Sequence, residues 1–325
     1  MSHAIRIHST GGPEVLQWEP AEVPAPGPGE VLVAHRAVGL NYIDVYHRNG
    51  TYPVNLPATP GLEAAGVVEA LGKGVEHLAP GDRVAYAGGP LGAYSERRVI
   101  PADRLVRLPD AIGFDAGAAM MLQGMTAQYL LRRTYRVKAG DTILVHAAAG
   151  GVGLILCQWA RHLGATVIGT VGSDAKAELA RAHGCEHPIV YTREDFHARV
   201  LELTGGAKLP VVYDSIGRDT FSKSLDCLAP FGTMVLYGAA SGPVPPFDLG
   251  QLAQKGSLYV TRPTLFTYTA KRADLEATAA EIFDVVQRGI VKVSIHQRYA
   301  LSDAAQAHRD LEARRTTGST VFTLT

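Results

Sequence analysis

The sequence predicts an α/β fold: a twisted, barrel-like β domain followed by a doubly wound parallel sheet. Three observations carry this. Short β-type runs broken by Pro and Gly turns fill the first part of the chain, and strands alternate with helical patterns from Thr126 onward. A glycine turn, His146-Ala-Ala-Ala-Gly150-Gly151-Val152-Gly153, joins an apolar run, Thr142 to Val145, to a helical pattern from Leu154 to Leu163.

The elements follow in order. The first domain reads as β runs over Glu30 to Ala37, Ala65 to Leu71, Arg83 to Ala87 and Ala93 to Val99, separated by turns such as Pro24-Ala-Pro-Gly-Pro-Gly29 and Ala79-Pro-Gly-Asp82. The second reads as strands over Thr142 to Val145, Thr166 to Thr170, His187 to Val190, Pro210 to Asp214, Gly232 to Tyr237 and Ser257 to Val260, and right-handed crossovers make such strands parallel. After Arg262 come a long helix (Arg272 to Arg288), a strand-like Val291 to Tyr299, a short helix (Ser302 to Arg314) and a last strand, Ser319 to Leu324. The expected domains are residues 1–124, then 125–263, with 264–325 returning to the first.

Glycines let a backbone approach a pyrophosphate closely, and free amides at a helix N-terminus face the anion at the favourable end of the helix dipole. The turn Ala147 to Gly153 therefore reads as a dinucleotide cradle, although it departs from the usual G-x-G-x-x-G and a tight turn in any α/β protein would look similar. About 20 residues on, an NAD-binding unit places Asp or Glu on the ribose hydroxyls. The strand Ala165 to Val171 ends instead in Gly172-Ser173-Asp174-Ala175-Lys176, with a hydroxyl before the first acid and an ammonium after it. This favours a 2′-phosphate, and hence NADPH over NADH; a solvated Lys176 on a helix's first turn is the plainer alternative.

Composition narrows the class of protein. The 325 residues suffice for two cores, and 31 Lys and Arg balance 31 Asp and Glu, with no basic cluster to attract nucleic acid or acidic lipid. Neither a signal peptide nor a membrane span is expected, and three scattered cysteines, Cys157, Cys185 and Cys227, without C-x-x-C spacing, suit a reducing cytoplasm.

Several longer motifs run the length of the chain: Gly11-Gly-Pro-Glu-Val-Leu16, Gly39-Leu-Asn-Tyr-Ile-Asp-Val-Tyr46, Pro60-Gly-Leu-Glu-Ala-Ala-Gly-Val-Val68, Ala79-Pro-Gly-Asp-Arg-Val84, the glycine turn, Val211-Val-Tyr-Asp-Ser-Ile-Gly217 and Lys255-Gly-Ser-Leu-Tyr-Val-Thr-Arg-Pro263. With these motifs the chain resembles the medium-chain dehydrogenase/reductase superfamily and, within it, the zinc-free NADPH:quinone oxidoreductases related to ζ-crystallin. The resemblance implies a GroES-like β-barrel catalytic domain and a Rossmann domain that binds NADPH. The zinc alcohol dehydrogenases of the superfamily carry Cys where Asn41 stands and His where Leu62 stands, so no metal site is expected. His35, His146 and His162 are expected to be packing or surface residues.

The resemblance also implies site residues. Asn41, Tyr46 and Tyr52 line the ring site as the catalytic group, with Asn41 and Tyr46 also meeting the cofactor; a core tyrosine at helical spacing is an equal alternative for Tyr46. Thr126, Gly151, Val152, Ser173, Lys176, Tyr191, Ser215, Gly238, Leu265, Phe266 and Arg314 bind the cofactor, Arg314 being open to an ion-pair reading and to confusion with Arg315. The family also implies a homodimer that pairs the edge strand Ser257 to Thr261 antiparallel across a two-fold axis; the alternative is an edge covered by the following segment.

Without a Lewis acid, the easiest acceptor is one that draws electrons by itself, as quinones do, so the expected activity is NADPH-dependent quinone reduction, with one-electron delivery to a semiquinone within the family's range. Reduction of activated C=C bonds in enals or enones is one alternative. A non-enzymatic crystallin-like or RNA-binding role is another.

Overall fold

The computed structural model describes residues 2–324. The chain divides into two compact units, one of Met1–Met125, Thr269–Gln287 and Val293–Thr325, the other of Thr126–Tyr268 and Arg288–Lys292.

The first unit is built around the eleven-residue strand Glu30–Leu40, whose apolar residues Val31, Val33 and Val38 are fully buried. One edge of this strand pairs antiparallel with Glu63–Leu71. Its other edge is shared: Arg97–Pro101 pairs with Glu30 to Ala34, and the last strand, Ser319–Thr323, pairs with Ala37 to Leu40. The order from Ile295–Ala300 through Ser319–Thr323, Glu30–Leu40, Glu63–Leu71 and Arg83–Ala87 to Val106–Arg107 completes a seven-stranded, barrel-like sheet. Ser2–Arg6 and Gln17–Ala21 form a separate antiparallel pair that sequence reasoning does not pick out.

The structure moves the expected strand Ala93 to Val99 to Arg97–Pro101. Gly92, at φ +134°, turns the chain, and Tyr94 is spent on single backbone bonds to Pro60 and Ile5 rather than on a ladder. The strand-like Val291 to Tyr299 begins at Ile295, and the short helix begins with a 3-10 turn, Leu301–Asp303, and ends at Glu312. The helix Phe114–Tyr129 is a further addition. It is apolar nearly all round, so it carries no amphipathic signal and is buried. Gly124 lets Ile282 approach, since a Cβ there would stand 2.6 Å from its side chain.

The second unit holds a six-stranded parallel sheet in the order His187–Val190, Thr166–Val171, Thr142–Val145, Leu209–Asp214, Leu228–Leu236, Tyr259–Thr261. Numbered along the chain this is 3-2-1-4-5-6, and the order reverses between Thr142–Val145 and Leu209–Asp214, where open α/β sheets bind ligands beyond the carboxyl ends of their strands. Leu144, Ile168, Ile189 and Val212 anchor one side of the sheet. The sixth strand starts at Tyr259, two residues later than expected, because Gly256 (φ +117°) and Ser257 (φ +55°) turn the chain first.

Candidate active site

In the first unit, Asn41 follows the long strand and caps the helix Tyr42–Arg48, its backbone N–H donating to Asp44 Oδ2 at 2.9 Å. Tyr46, four residues into that helix, packs edge-on against Tyr42 and Tyr52, with ring centroids 5.4 and 5.1 Å apart. The Tyr52 N–H donates to the Tyr46 carbonyl at 2.9 Å, so the structure brings Asn41, Tyr46 and Tyr52 to one helix and the turn that follows it.

Beneath Asn41 lies a buried polar network. The Asn41 Nδ2 donates to Glu63 Oε2 at 2.6 Å, and the Leu122 N–H donates to Glu63 Oε1 at 2.8 Å. Gln123 Nε2 donates to Asn41 Oδ1 at 3.2 Å, and Ser319 Oγ donates to Gln123 Oε1 at 2.7 Å. Burial pushes the Glu63 carboxyl up to about 8, against the pull of its hydrogen bonds, and pushes Asp44 up to about 7.

The Asp44 side of the network has a fixed proton order. Arg48 binds Glu312 through two 2.8 Å bonds and donates to His308 Nδ1 at 3.2 Å, because a guanidinium has no acceptor. His308 Nε2–H then faces the Tyr94 hydroxyl at 3.1 Å, and that hydroxyl donates to Asp44 Oδ2 at 2.9 Å. Burial, aided by Arg48, lowers His308 to about 3. Past this helix, Arg314 sits at φ +58° near enough to Tyr42 to act on it electrostatically, while Arg315 pairs with Asp310 at 3.2 Å.

In the second unit, the helix Gly151–His162 follows the first strand through a turn in which Ala147 takes φ +54°. Its N-cap, Gly150, offers no side chain to the first-turn amides of Gly151 and Val152. A Cβ at Gly153 would stand 2.3 Å from the Ala147 carbonyl oxygen, so only glycine allows this close turn. An uncapped N-terminus behind a glycine turn fits a dinucleotide pyrophosphate.

At the end of the second strand, Ser173 caps the helix Asp174–Ala182, whose first turn carries Lys176. Tyr191 lies beside Gly172, where a Cβ would meet the tyrosine hydroxyl at 3.0 Å. Arg193 binds Asp174 through contacts of 2.7 and 2.5 Å, neutralising the first acid of the turn. Ser215 and Gly238 lie together at the ends of the fourth and fifth strands: a Cβ on Gly238 would stand 2.6 Å from the Ser215 carbonyl oxygen. Asp214 holds the Ser215 turn by accepting from the Ile216 and Gly217 amides at 2.7 and 3.1 Å. Thr126 is buried and hydrogen-bonds Tyr129; Leu265 is buried and Phe266 half-exposed on the helix Leu265–Tyr268.

His35 and His146 are buried and bonded to neutral partners, His35 to Ser95 O and Tyr86 Oη, His146 to Thr170 Oγ1 and Ser224 Oγ, while His162 is exposed. Among the described residues no group of three or more His, Cys, Asp or Glu is arranged to hold a metal ion. Sequence reasoning does not single out Glu63, Gln123 or Arg193. An acid inside the apolar run Leu62 to Val68, and a glutamine inside the apolar helix, are signals that could have found the first two. Nothing in the sequence pairs Arg193 with Asp174.

Residues 27–110 match the family model described as alcohol dehydrogenase GroES-like domain, and residues 151–282 match that of zinc-binding dehydrogenase. The chain is 56% identical over 323 residues to a quinone oxidoreductase of Pseudomonas aeruginosa, covering 99% of each. The chain belongs to the quinone oxidoreductase family of medium-chain dehydrogenases/reductases. Within the same family, it superposes on the crystal structure of the Escherichia coli quinone oxidoreductase complexed with NADPH with a TM-score of 0.97, at 49% identity and 99% coverage of both chains. A relative outside the quinone name, a 2-haloacrylate reductase of a Burkholderia species, is 47% identical with 99% of each chain covered.

Proposed function

We propose that the protein reduces quinones with NADPH. The cofactor reading is supported by the end of the second strand, where Ser173 caps the helix whose first turn carries Lys176 and Arg193 binds Asp174, the acid of that turn. The substrate class rests on relatives named quinone oxidoreductase at 49 to 56% identity across the chain.

Bound NADPH supplies the reducing equivalents. Gly151 and Val152 hold the pyrophosphate with backbone amides, Ser173, Lys176 and Tyr191 surround the adenosine phosphate, and Thr126, Ser215, Gly238, Leu265 and Phe266 bind the rest of the cofactor, with Arg314 as a further cation. Asn41, Tyr46 and Tyr52 orient a planar ring by hydrogen-bonding its oxygens and packing on its face, a positioning contribution rather than acid-base work.

A second reading, reduction of activated C=C bonds, has the 2-haloacrylate reductase relative in its favour. The two separate in one assay: NADPH oxidation with 1,4-benzoquinone, a polycyclic quinone and an α,β-unsaturated aldehyde, with electron paramagnetic resonance for product radicals. Quinone-dependent oxidation supports the main reading, and oxidation with the aldehyde alone replaces it.

The proposed assembly is a cytoplasmic homodimer. Among the described residues the strand Tyr259–Thr261 pairs only with Leu228–Leu236, leaving one edge open, and Tyr259 and Phe231 are exposed beside it at 61% and 70%. A solution mass near 34.6 kDa would refute the dimer. The three cysteines are unpaired and buried, consistent with a reducing compartment.

A further inference from the structure

We propose that Glu63 is a positioning residue that determines which way round the Asn41 side-chain amide sits, and so which edge of that amide is left for a bound ligand. The proposal rests on the reading of Asn41 as a ligand-binding residue.

The argument is one of hydrogen-bond polarity. Ser319, Gln123, Asn41 and Glu63 form a continuous chain, all buried: Ser319 Oγ to Gln123 Oε1 at 2.7 Å, Gln123 Nε2 to Asn41 Oδ1 at 3.2 Å, Asn41 Nδ2 to Glu63 Oε2 at 2.6 Å. Each amide has one end that only donates and one that only accepts. The polarity of the whole chain is therefore set from its ends. At one end the Ser319 hydroxyl is indifferent, because it has a second acceptor, the Ala119 carbonyl, at 3.2 Å. At the other end ionised Glu63, the form present above about pH 8, cannot donate, and its second oxygen already accepts from the Leu122 amide at 2.8 Å.

Glu63 thus forces the Asn41 nitrogen towards itself and the Asn41 oxygen towards Gln123. One N–H and one lone pair of Asn41 remain, in fixed places. The fold makes room for this acid: a Cβ at Gly39 would stand 2.5 Å from Glu63 Oε2 and 2.2 Å from the Ala118 carbonyl oxygen. Among the described residues no cation neutralises it; the charged or titratable groups acting on it or acted on by it are Asp44, Tyr86 and Tyr94. A buried acid without a cation costs stability that a glutamine of the same shape would avoid, so packing alone does not account for it.

Glu63→Gln tests the idea without breaking the network. The Leu122 amide holds the oxygen of the new side chain, its NH2 group faces Asn41, and Asn41 must turn its oxygen to meet it. Gln123 then reverses too, and Ser319 donates to Ala119 instead. The hydrogen bonds linking Ser319, Gln123, Asn41 and residue 63 survive, but the donor that Asn41 offers a ligand has become an acceptor.

The expected result is a folded variant whose kcat with 1,4-benzoquinone, measured at about pH 9 where Glu63 is ionised, falls roughly a hundredfold to a thousandfold, the range for losing a positioned donor. In an Asn41→Ala background the same substitution should cost nothing further, because Glu63 acts through Asn41; independent, multiplying losses would overturn the proposal. A second readout uses the protein without cofactor or substrate. The side-chain amide resonances of Asn41, assigned by their loss in Asn41→Ala, should shift strongly in Glu63→Gln and stay in place in Ser319→Ala. Resonances unmoved in the first variant, or moved as far in the second, overturn it. Should the wild type oxidise no NADPH with any acceptor, the functional reading fails, and the resonances alone decide the positioning claim.

Discussion

Arg193 holds Asp174, the acid that directly follows Ser173, through two contacts of 2.7 and 2.5 Å and neutralises it. The pairing joins the loop after the third strand to the helix after the second, 19 residues apart, so in the proposed reading the preference for a 2′-phosphate rests on the fold as well as on the Ser-Asp-Ala-Lys turn.

Arg193→Ser should therefore free Asp174 and weaken NADPH relative to NADH by about tenfold, and Lys176→Glu should do so more strongly, each read from titrations of both cofactors. Equal losses for NADPH and NADH would remove both residues from cofactor choice.

Gly153→Ala should damage the cradle. The added Cβ meets the Ala147 carbonyl oxygen at 2.3 Å, which only a backbone shift can relieve, at a cost of about 1–3 kcal/mol. Calorimetric titration should show NADPH affinity falling at least tenfold while the far-ultraviolet circular dichroism is kept; unchanged affinity would mean that the turn holds no pyrophosphate.

Tyr46→Phe removes only a hydroxyl from a ring held by Tyr42 and Tyr52, so the unfolding temperature should change little while quinone turnover falls several-fold. Asn41→Ala should lower turnover more. Turnover unaltered in either variant would take that residue out of the reaction.

Stability should peak in mild acid. Burial raises Glu63 from 4.5 to about 8 and Asp44 from 3.8 to about 7, so over that range the folded state keeps protons that the unfolded state has lost, and stability falls as pH rises. Burial lowers His35 and His308 from 6.5 to about 3, so below 6.5 the unfolded chain binds the extra protons and stability falls as pH drops. The two trends oppose one another between about pH 3.8 and 6.5, and the carboxyls alone act from there to about 8. Thermal unfolding should show a decline between pH 6.5 and 8 that Glu63→Gln reduces; an equal decline in that variant would mean that Glu63 is ionised throughout.

Much of the second unit was legible because its signals are local. The strands Thr142–Val145 and His187–Val190 lie where the apolar runs place them, and the glycine turn sits between strand and helix as the spacing requires. The first unit was less so. Tyr94 lies in an apolar run that reads as strand, yet its hydroxyl is committed to Asp44 and His308, residues 50 and 214 positions away. The helix Phe114–Tyr129 has no polar face to reveal its period. The chain from Ser319 through Gln123 and Asn41 to Glu63 joins residues from opposite ends of the sequence, and no spacing rule brings them together.

The most direct test of the account is the rate of NADPH oxidation by the purified wild-type protein with 1,4-benzoquinone, run beside NADH under the same conditions. The account predicts quinone-dependent oxidation of NADPH, with NADH at least about tenfold poorer in kcat/KM. Oxidation of NADPH by an enal but not by any quinone, or equal use of both cofactors, would contradict it.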